Sequence, residues 1–274
     1  MITKLKPILI KSKRKVFSEK IGNNPSPFKG EGYDFMELRE YMPGDDIKFI
    51  DWNITAKMQQ PYVKVFHEER ELNITLVSIL NGSVHFGSTK FKQEVIAEII
   101  ALLSYSAIKN SDTFSSFIFT NKQEYYHKPS KKLHAVHSII ENILSFDSLK
   151  KGIDFEVIAN LLYKRLKRKS LIFIVGDFFE IPNFKLLAKK HEVIAIIVRD
   201  KLEENPPPFG LASLQDPQSG NNLDGDFTQS AVNSYKEQLN KHDQILFEKF
   251  KKDSIRYTKI YTDDPIWKKL KQFL

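Results

Sequence analysis

Three short apolar runs rich in β-branched side chains recur along the chain after residue 71, and a mixed apolar and polar segment, Ile255–Tyr261, predicts a last strand. The three runs are Leu72–Leu80, Ser170–Val175 and Val193–Val198. Continuous apolar runs of this length are typical of strands that are buried on both faces of a sheet. A further pair of segments, Thr113–Thr120 and Gln123–His127, flanks Asn121 and Lys122 and predicts a β-hairpin.

Amphipathic segments with helical spacing separate these strands. The pattern predicts helices over Thr89–Asn110, Lys131–Leu144, Phe155–Leu166, Phe184–His191, Asp226–Lys252 and Pro265–Leu274. Strands that alternate with helices favour parallel pairing and right-handed crossovers. We therefore expect an α/β fold with a mostly parallel central sheet and helices on both faces. Residues 199–226, with three consecutive prolines and many Gly, Asn and Asp, predict an irregular excursion with a small hairpin.

Polar residues follow two of the predicted core strands. Asn81 and Ser83 come after the first apolar run, and Asp177 comes after Ser170–Val175. Sheets of this kind bind ligands at the carboxyl ends of their strands. We therefore take Asn81, Ser83 and Asp177 as candidate partner-binding residues.

Residues 30–71, which we call the signature segment, have a different pattern. Charges of both signs alternate with aromatic residues, and the spacing fits neither one helix nor one strand. A charge beside apolar surface must be paired, so this pattern indicates a partly buried polar network. Arg39 and Asp45 are candidate partner-binding charges, whereas Asp46, Asp51 and Trp52 are expected to be structural, with Trp52 buried.

The signature segment contains a long motif of spaced residues, namely Gly30, Gly32, Asp34, Phe35, Leu38, Arg39, Tyr41, Pro43, Gly44, Asp45, Asp46, Ile50, Asp51, Trp52, Pro61, Tyr62, Val63, Lys64, Glu68, Glu69 and Arg70. In these residues it resembles the signature of domain-of-unknown-function family 58 (DUF58), and the chain downstream resembles a von Willebrand factor A-like domain. We expect three parts: a basic arm (1–29), the signature segment (30–71) packed on the sheet, and the von Willebrand factor A-like domain (72–274).

The resemblance also implies a metal-ion-dependent adhesion site. Its acidic and hydroxyl positions fall on Ile79, Asn81, Ser83 and Ile153, while Asp177 matches a second acidic position. Mg²⁺ prefers hard oxygen ligands in octahedral geometry, and two isoleucines remove a carboxylate and a hydroxyl. We therefore predict a degenerate site without tight metal binding, and no cofactor.

Composition limits the class of protein further. The chain has no Cys, which excludes disulfides and Cys-ligated metals and fits a reducing compartment. Its longest apolar segments are too short or too interrupted to span a bilayer, so we expect a cytoplasmic protein. P-loop, Gly-x-Ser-x-Gly and Cys-nucleophile motifs are absent, and we expect no enzymatic activity.

The net charge of +8 is concentrated in the basic arm. Residues 1–30 hold eight Lys or Arg against one Glu. Such a segment can contact nucleic acid, anionic lipid or an acidic protein. We expect it to be a solvated, partly helical arm, with contact to a membrane surface as a further possibility.

Proteins that resemble this family are commonly encoded beside MoxR-type AAA+ ATPases. The resemblance therefore implies a non-enzymatic interaction module that acts as an adaptor or co-chaperone between the ATPase and client proteins. The alternative is a nucleic-acid-binding or metal-dependent nuclease-like protein, based on the basic arm and on Asp46 and Lys48. A salt-bridge network is the simpler interpretation of that pair.

Overall fold

A computed structural model of the chain describes residues 4–18, 35–66 and 71–274. The chain divides into two compact units, the larger formed by Met1–Asn24 with Asn73–Leu274 and the smaller by Pro25–Leu72. Gly30, Gly32, Asp34 and Glu68–Arg70 of the signature segment lie outside the described residues. The predicted packing of the signature segment on the sheet stays a prediction.

The elements follow the hydrophobic pattern of the sequence. The described helices are α1 (Leu5–Ser18), α2 (Trp52–Met58), α3 (Lys92–Lys109), α4 (Leu133–Ser145), α5 (Phe155–Arg165), α6 (Lys185–Lys190), α7 (Lys201–Glu204), α8 (Gln229–Lys252) and α9 (Ile266–Phe273). The described strands are β1 (Phe35–Glu40), β2 (Tyr62–Phe66), β3 (Asn73–Ile79), β4 (Thr113–Phe119), β5 (Gln123–Ser130), β6 (Leu171–Gly176), β7 (Glu192–Arg199), β8 (Gly210–Gln215), β9 (Asn222–Phe227) and β10 (Arg256–Tyr261). Measured over these described ranges, no helix has both the length and the apolar character needed to cross a bilayer.

The larger unit is built on a sheet of six strands in the order β10-β7-β6-β3-β4-β5. Neighbouring strands pair in parallel, with Ile74 opposite both Phe114 and Leu171, and only β5 runs antiparallel to its neighbour β4. The α/β class with a mostly parallel central sheet is therefore confirmed. The antiparallel β5 is the second strand of the predicted β4–β5 hairpin.

Helices cover both faces of this sheet, as predicted. Val77 and Ile79 of β3 join an apolar cluster with side chains of α5, α6 and α8. The alternate β3 positions Ile74 and Leu76 are also buried and point to the other face, since successive side chains of a strand alternate. There α3 contacts β3 and β4 and packs against α1, α4 and α9.

Helix α1 lies within the region predicted to be a solvated, partly helical arm; residues 5–18 are helical as expected, but one face of the helix is buried, so the expectation of a solvated arm is wrong there. Its buried side chains lie on one helical face, namely Ile8, Leu9, Ser12 and Val16. Lys4 and Lys11 each lie 2.6 Å from a buried carboxylate of α3, on Glu94 and Glu98 respectively. Apolar contact and ion pairing together hold α1 on α3.

The excursion after β7 contains the predicted small hairpin. Strands β8 and β9 pair antiparallel, with Leu214 opposite Leu223 and Ala212 opposite Gly225. The short helix α7 precedes the hairpin and starts at Asp200, whose side chain caps it by accepting from Leu202 N. Hairpin β8–β9 therefore lies in the chain between two helices, α7 and α8.

Candidate functional site

Strands β3 and β6 end at the place where the order of strands reverses. The chain passes from β3 to β4 on one side, whereas β6 pairs with β3 on the other side. Open α/β sheets bind ligands in the crevice outside such a point. The loops that meet there carry the predicted residues Asn81, Ser83 and Asp177.

All three predicted side chains are buried. Ser83 Oγ donates a hydrogen bond to Asp177 Oδ2. Asn81 precedes a 3-10 turn, Gly82–His85, and its buried Oδ1 accepts no hydrogen bond from the described residues. The structure thus joins Ser83 to Asp177, but a partner cannot reach these side chains in this conformation.

Lys92 is the third member of this cluster. Its side chain is fully buried, and Nζ lies 3.3 Å from Asp177 Oδ2 and 2.7 Å from Glu203 Oε1 of α7. Lys92 is the first residue of α3, where the helix dipole disfavours a cation, so the two carboxylates must offset that cost. We call Asn81, Ser83, Lys92, Asp177 and Glu203 the carboxyl-edge site.

Burial and neighbouring charges shift the pKa of Glu203, the acid that α7 contributes to this site. Removal of Glu203 from solvent raises its pKa, the Lys92 ammonium lowers it, and the charge of Asp177 raises it. The balance is a pKa above the usual range. Loss of the Lys92 ammonium would raise the pKa of Glu203 further.

The side chains at this edge do not fit a divalent cation. Ile79 lies in the apolar cluster on the α5 side of the sheet, and Ile153 packs against that cluster. Mg²⁺ prefers a shell of hard oxygen ligands, and the Lys92 ammonium beside Asp177 repels a second cation. The described ranges contain no group of three or more His, Asp or Glu that could hold a metal ion.

A second buried charge network adjoins the carboxyl-edge site. The guanidinium carbon of Arg199 lies 3.6 Å from the centre of the Phe179 ring, and Lys92 Nζ lies 4.9 Å from the same centre. Arg199 Nη2 lies 3.2 Å from Asp243 Oδ1, and Lys259 Nζ lies 2.6 Å from Asp243 Oδ2. The Phe179 ring is therefore close to two buried cations, and each cation has its own carboxylate partner.

Asp243 is the carboxylate that the second network depends on. Burial raises its pKa, but hydrogen bonds from His242 and Lys259 and the charge of Arg199 oppose this, and its pKa falls to about 2. Lys259 Nζ also lies 2.8 Å from Glu204 Oε1 of α7. Helix α7 therefore carries a partner for each network, Glu203 for Lys92 and Glu204 for Lys259.

The tip of hairpin β8–β9 lies against the loop that carries Asn81 and Ser83. Pro217 O accepts a hydrogen bond of 2.8 Å from Lys150 N. A Cβ on Gly82 would lie 2.0 Å from that same oxygen, so only glycine allows this approach. The tip contributes to the burial of the carboxyl-edge site.

Arg39 and Asp45 of the signature segment pair with each other. Arg39 Nη1 and Nη2 donate to the two oxygens of Asp45 at 2.8 and 2.7 Å. This pair, with a hydrogen bond from Met42 N, holds the pKa of Asp45 below its usual range. Both charges are satisfied within the smaller unit.

Asp46 and Asp51 each cap a short helical segment. Asp46 caps the 3-10 turn Ile47–Phe49, and its Oδ2 lies 2.7 Å from the Nζ of Lys48. Asp51 caps α2 through hydrogen bonds from Asn53 N and Ile54 N, and its Oδ2 lies 2.9 Å from Lys64 Nζ. The Asp46 and Lys48 pair is thus a local, exposed ion pair.

The prediction that Trp52 is buried is wrong. Trp52 is the first residue of α2 and 65% of its surface is exposed. Helix α2 has seven residues and none of them is buried, so it offers no apolar face under which the indole could pack. The bulky aromatic of the signature segment therefore lies at the surface of the smaller unit.

Lys92, Glu203 and Arg199 were missed by reasoning from the sequence. A signal for Lys92 was present, because it precedes Val95, Ile96 and Ile99 by three, four and seven residues. Those spacings place it on the same helical face as three buried side chains. Glu203 lies in the irregular excursion, where no periodicity marks an inward position.

The chain matches a known protein family over most of its length. The family described as "Protein of unknown function DUF58" matches residues 37–245 of this chain. The chain is also 27% identical over 208 residues to the uncharacterized proteins Mb1516 of Mycobacterium bovis and Rv1480 of Mycobacterium tuberculosis. The matched region covers 73% of this chain and 65% of each relative, so about two thirds of the length of these relatives is matched.

Two solved structures are similar at low identity. An aerotolerance-related membrane protein from Bacteroides fragilis is 11% identical, covering 74% of this chain and 96% of that one, with a TM-score of 0.47. The conserved hypothetical protein BatB from Bacteroides thetaiotaomicron is 10% identical, covering 73% and 96%, with a TM-score of 0.46. Similarity at this level adds nothing to the fold described above.

Proposed function

The chain belongs to the family described as Protein of unknown function DUF58, and from its carboxyl edge we propose that it is a non-enzymatic protein-interaction module. In this proposal it acts as an adaptor or co-chaperone that links a MoxR-type AAA+ ATPase to client proteins. The ATPase partner and the cytoplasmic location come from the family resemblance and the sequence.

The observation that carries the proposal is the ion pair between Lys92 and Asp177. The adhesion site implied by the resemblance needs Asp177 as a metal ligand, but here an internal ammonium and the Ser83 hydroxyl take its oxygen. This pairing supports the proposal of a degenerate site, in which partner binding does not use a metal to bridge to a partner carboxylate. A buried serine whose acceptor is already neutralised by lysine is also a poor nucleophile, which supports a role without catalysis.

Hairpin β8–β9 supplies the partner surface at this edge. Its exposed apolar side chains are Phe209, Leu211, Leu214 and Leu223, and Leu214 faces Leu223 across the hairpin. Residues 210–227 also contain three Asp and neither Lys nor Arg, in a chain that is basic overall. This surface fits a partner segment with apolar anchors and basic flanking residues.

Nucleic-acid binding is the weaker candidate. Lys4 and Lys11 of the basic arm are paired with the buried acids Glu94 and Glu98, so these charges already have internal partners. Among the described residues, Asp46 belongs to no group of three or more His, Asp or Glu that could hold a metal ion. A metal-dependent nuclease would need such a group.

The test is the affinity of the full chain for the purified MoxR-type ATPase from the same cell, measured by biolayer interferometry. Leu223→Ser is expected to weaken binding by about tenfold or more, as for an interface anchor. Leu186→Ser on α6 is the matched control, because both leucines are 63% exposed, and it is expected to leave affinity unchanged. Equal affinities of wild type and Leu223→Ser would overturn the hairpin as the partner surface, and no binding at all would overturn the ATPase as the partner.

A further inference from the structure

The opposite, amino edge of the central sheet contains a pocket of about 200 Å³. It lies where β3, β4 and β6 begin and where the connection after α5 ends. The residues that line it are Asn73, Ile74, Thr75, Thr113, Ser115, Tyr126, Pro129, Arg165, Leu166, Lys167, Arg168 and Ser170. We call it the amino-edge pocket.

The lining of this pocket has one sign of charge. Arg165, Lys167 and Arg168 contribute three cations, and none of the described lining residues is acidic. Residues 164–169 contain five Lys or Arg and no Asp or Glu. Lys167 and Arg168 form no ion pair with any described carboxylate. Crowded cations without counter-charges favour binding of an anion.

Arg165 is held in place at the wall of the pocket. Its guanidinium carbon lies 3.9 Å from the centre of the Tyr126 ring, and Nη1 donates to Gln123 Oε1 at 2.8 Å. A stacked guanidinium loses little conformational freedom when it binds an oxyanion, and its remaining donors match phosphate geometry. The wall therefore presents a fixed donor group.

Hydroxyl groups form the floor. Thr75 and Ser115 are nearly fully buried, and their oxygens lie 3.4 Å apart, which is long for a hydrogen bond between hydroxyls. Thr113 and Ser170 add two more hydroxyls to the lining. One of the paired hydroxyls can turn to donate to a bound oxyanion with little loss.

We propose that the amino-edge pocket binds a compact phosphate group, either as the free ion or as the head of a small phosphorylated molecule. Its volume is below the roughly 300 to 1,000 Å³ typical of sites for drug-sized ligands, which favours a small anion. This site is separate from the carboxyl edge and independent of the adaptor role proposed above. The chemistry is recognition by guanidinium, ammonium and hydroxyl donors, without a reaction.

The experiment is calorimetric titration of the full chain with inorganic phosphate and with glycerol phosphate at constant ionic strength. Arg165→Gln/Arg168→Gln is expected to raise Kd by about tenfold or more. Lys185→Gln/Lys189→Gln removes the same charge from exposed positions of α6 and is expected to leave Kd unchanged. Ser115→Ala is expected to weaken binding by about fivefold without any change of charge.

The two ligands separate the two sources of phosphate. Binding of inorganic phosphate would identify the free ion, and binding of glycerol phosphate alone would identify a phosphorylated small molecule. Absence of binding by both, or equal Kd values for the two charge variants, would overturn the proposal. So would tight binding of single-stranded RNA that inorganic phosphate does not compete away.

Discussion

Lys92 is the residue on which the account of the carboxyl edge depends. A fully buried ammonium at the first position of a helix is disfavoured by desolvation and by the helix dipole. It persists because Asp177 and Glu203 lie within 3.3 Å of it. The three side chains therefore depend on one another for their stability.

Replacing Lys92 by Met keeps the side-chain bulk and removes the charge. The free energy of unfolding is expected to fall by about 3–5 kcal/mol, because two carboxylates then stay buried without a counter-charge. Denaturation in urea measures it. In a double-mutant cycle with Asp177→Asn, the coupling is expected to be about 1–3 kcal/mol. Strictly additive effects would contradict the ion pair.

Asp243 gives the protein a defined response to acid. Its pKa is about 2 in the folded protein against 3.8 for an ordinary Asp. An Asp whose pKa is lower in the folded than in the unfolded state stabilises the native state at pH values above its ordinary pKa. This stabilisation is lost as the pH falls towards 2. The second network should therefore weaken only in strong acid.

The comparison of wild type with Asp243→Asn tests this. The difference in their free energies of unfolding is expected to be constant above about pH 5 and to shrink by roughly 2 kcal/mol as the pH falls to about 2. Unfolding in urea at a series of pH values measures it. A difference that does not change with pH would show that Asp243 is not held ionised by its neighbours.

From the sequence, Asp46 and Asp51 could be expected to pair within the signature segment, because a charge beside apolar surface needs a partner. The helix caps that they form could not be predicted, since the two short helices leave no periodic pattern. The exposure of Trp52 could not be predicted either, because burial depends on what packs over the side chain. Lys92 shows the same limit, because its partner Glu203 lies 111 residues away in the chain.

At the scale of elements, the approach of the β8–β9 tip to Gly82 is the most sensitive contact. Gly82→Ala would place Cβ within 2.0 Å of Pro217 O, so the tip has to move away. We expect faster amide hydrogen exchange over residues 216–220, measured by mass spectrometry. Gly152→Ala is the control, because a Cβ there meets no atom within 4 Å. Unchanged exchange in Gly82→Ala would show that the tip does not rest on this loop.

Six helices (α3–α6, α8 and α9) and six strands (β3–β7 and β10) of the larger unit were predicted to within three residues at each end. Their apolar periodicity is strong because they line a large core, and the core itself enforces the pattern. Helix α1 could not be predicted as a packed helix, because four buried positions among many lysines give a weak periodic signal. In the smaller unit, β1, α2 and β2 are short, with few buried positions, and no period marks them.

At the scale of the whole molecule, the fold followed from the alternation of strands and helices together with the family resemblance. The expected packing of the signature segment on the sheet stays a prediction, because the exposed and locally paired charges of that segment do not specify a partner surface. The site could be predicted only in part. The sequence places Asp177 at the right edge, but the ammonium that neutralises it comes from Lys92 at the start of α3.

A calorimetric titration of Mn²⁺ into the full wild-type chain tests directly whether the carboxyl-edge site is independent of metal. No saturable binding is expected at the carboxyl edge, because Lys92 and Ser83 already occupy Asp177. Asp177→Asn should then give the same trace as wild type. Saturable Mn²⁺ binding by the wild type that Asp177→Asn abolishes would contradict the metal-independent site.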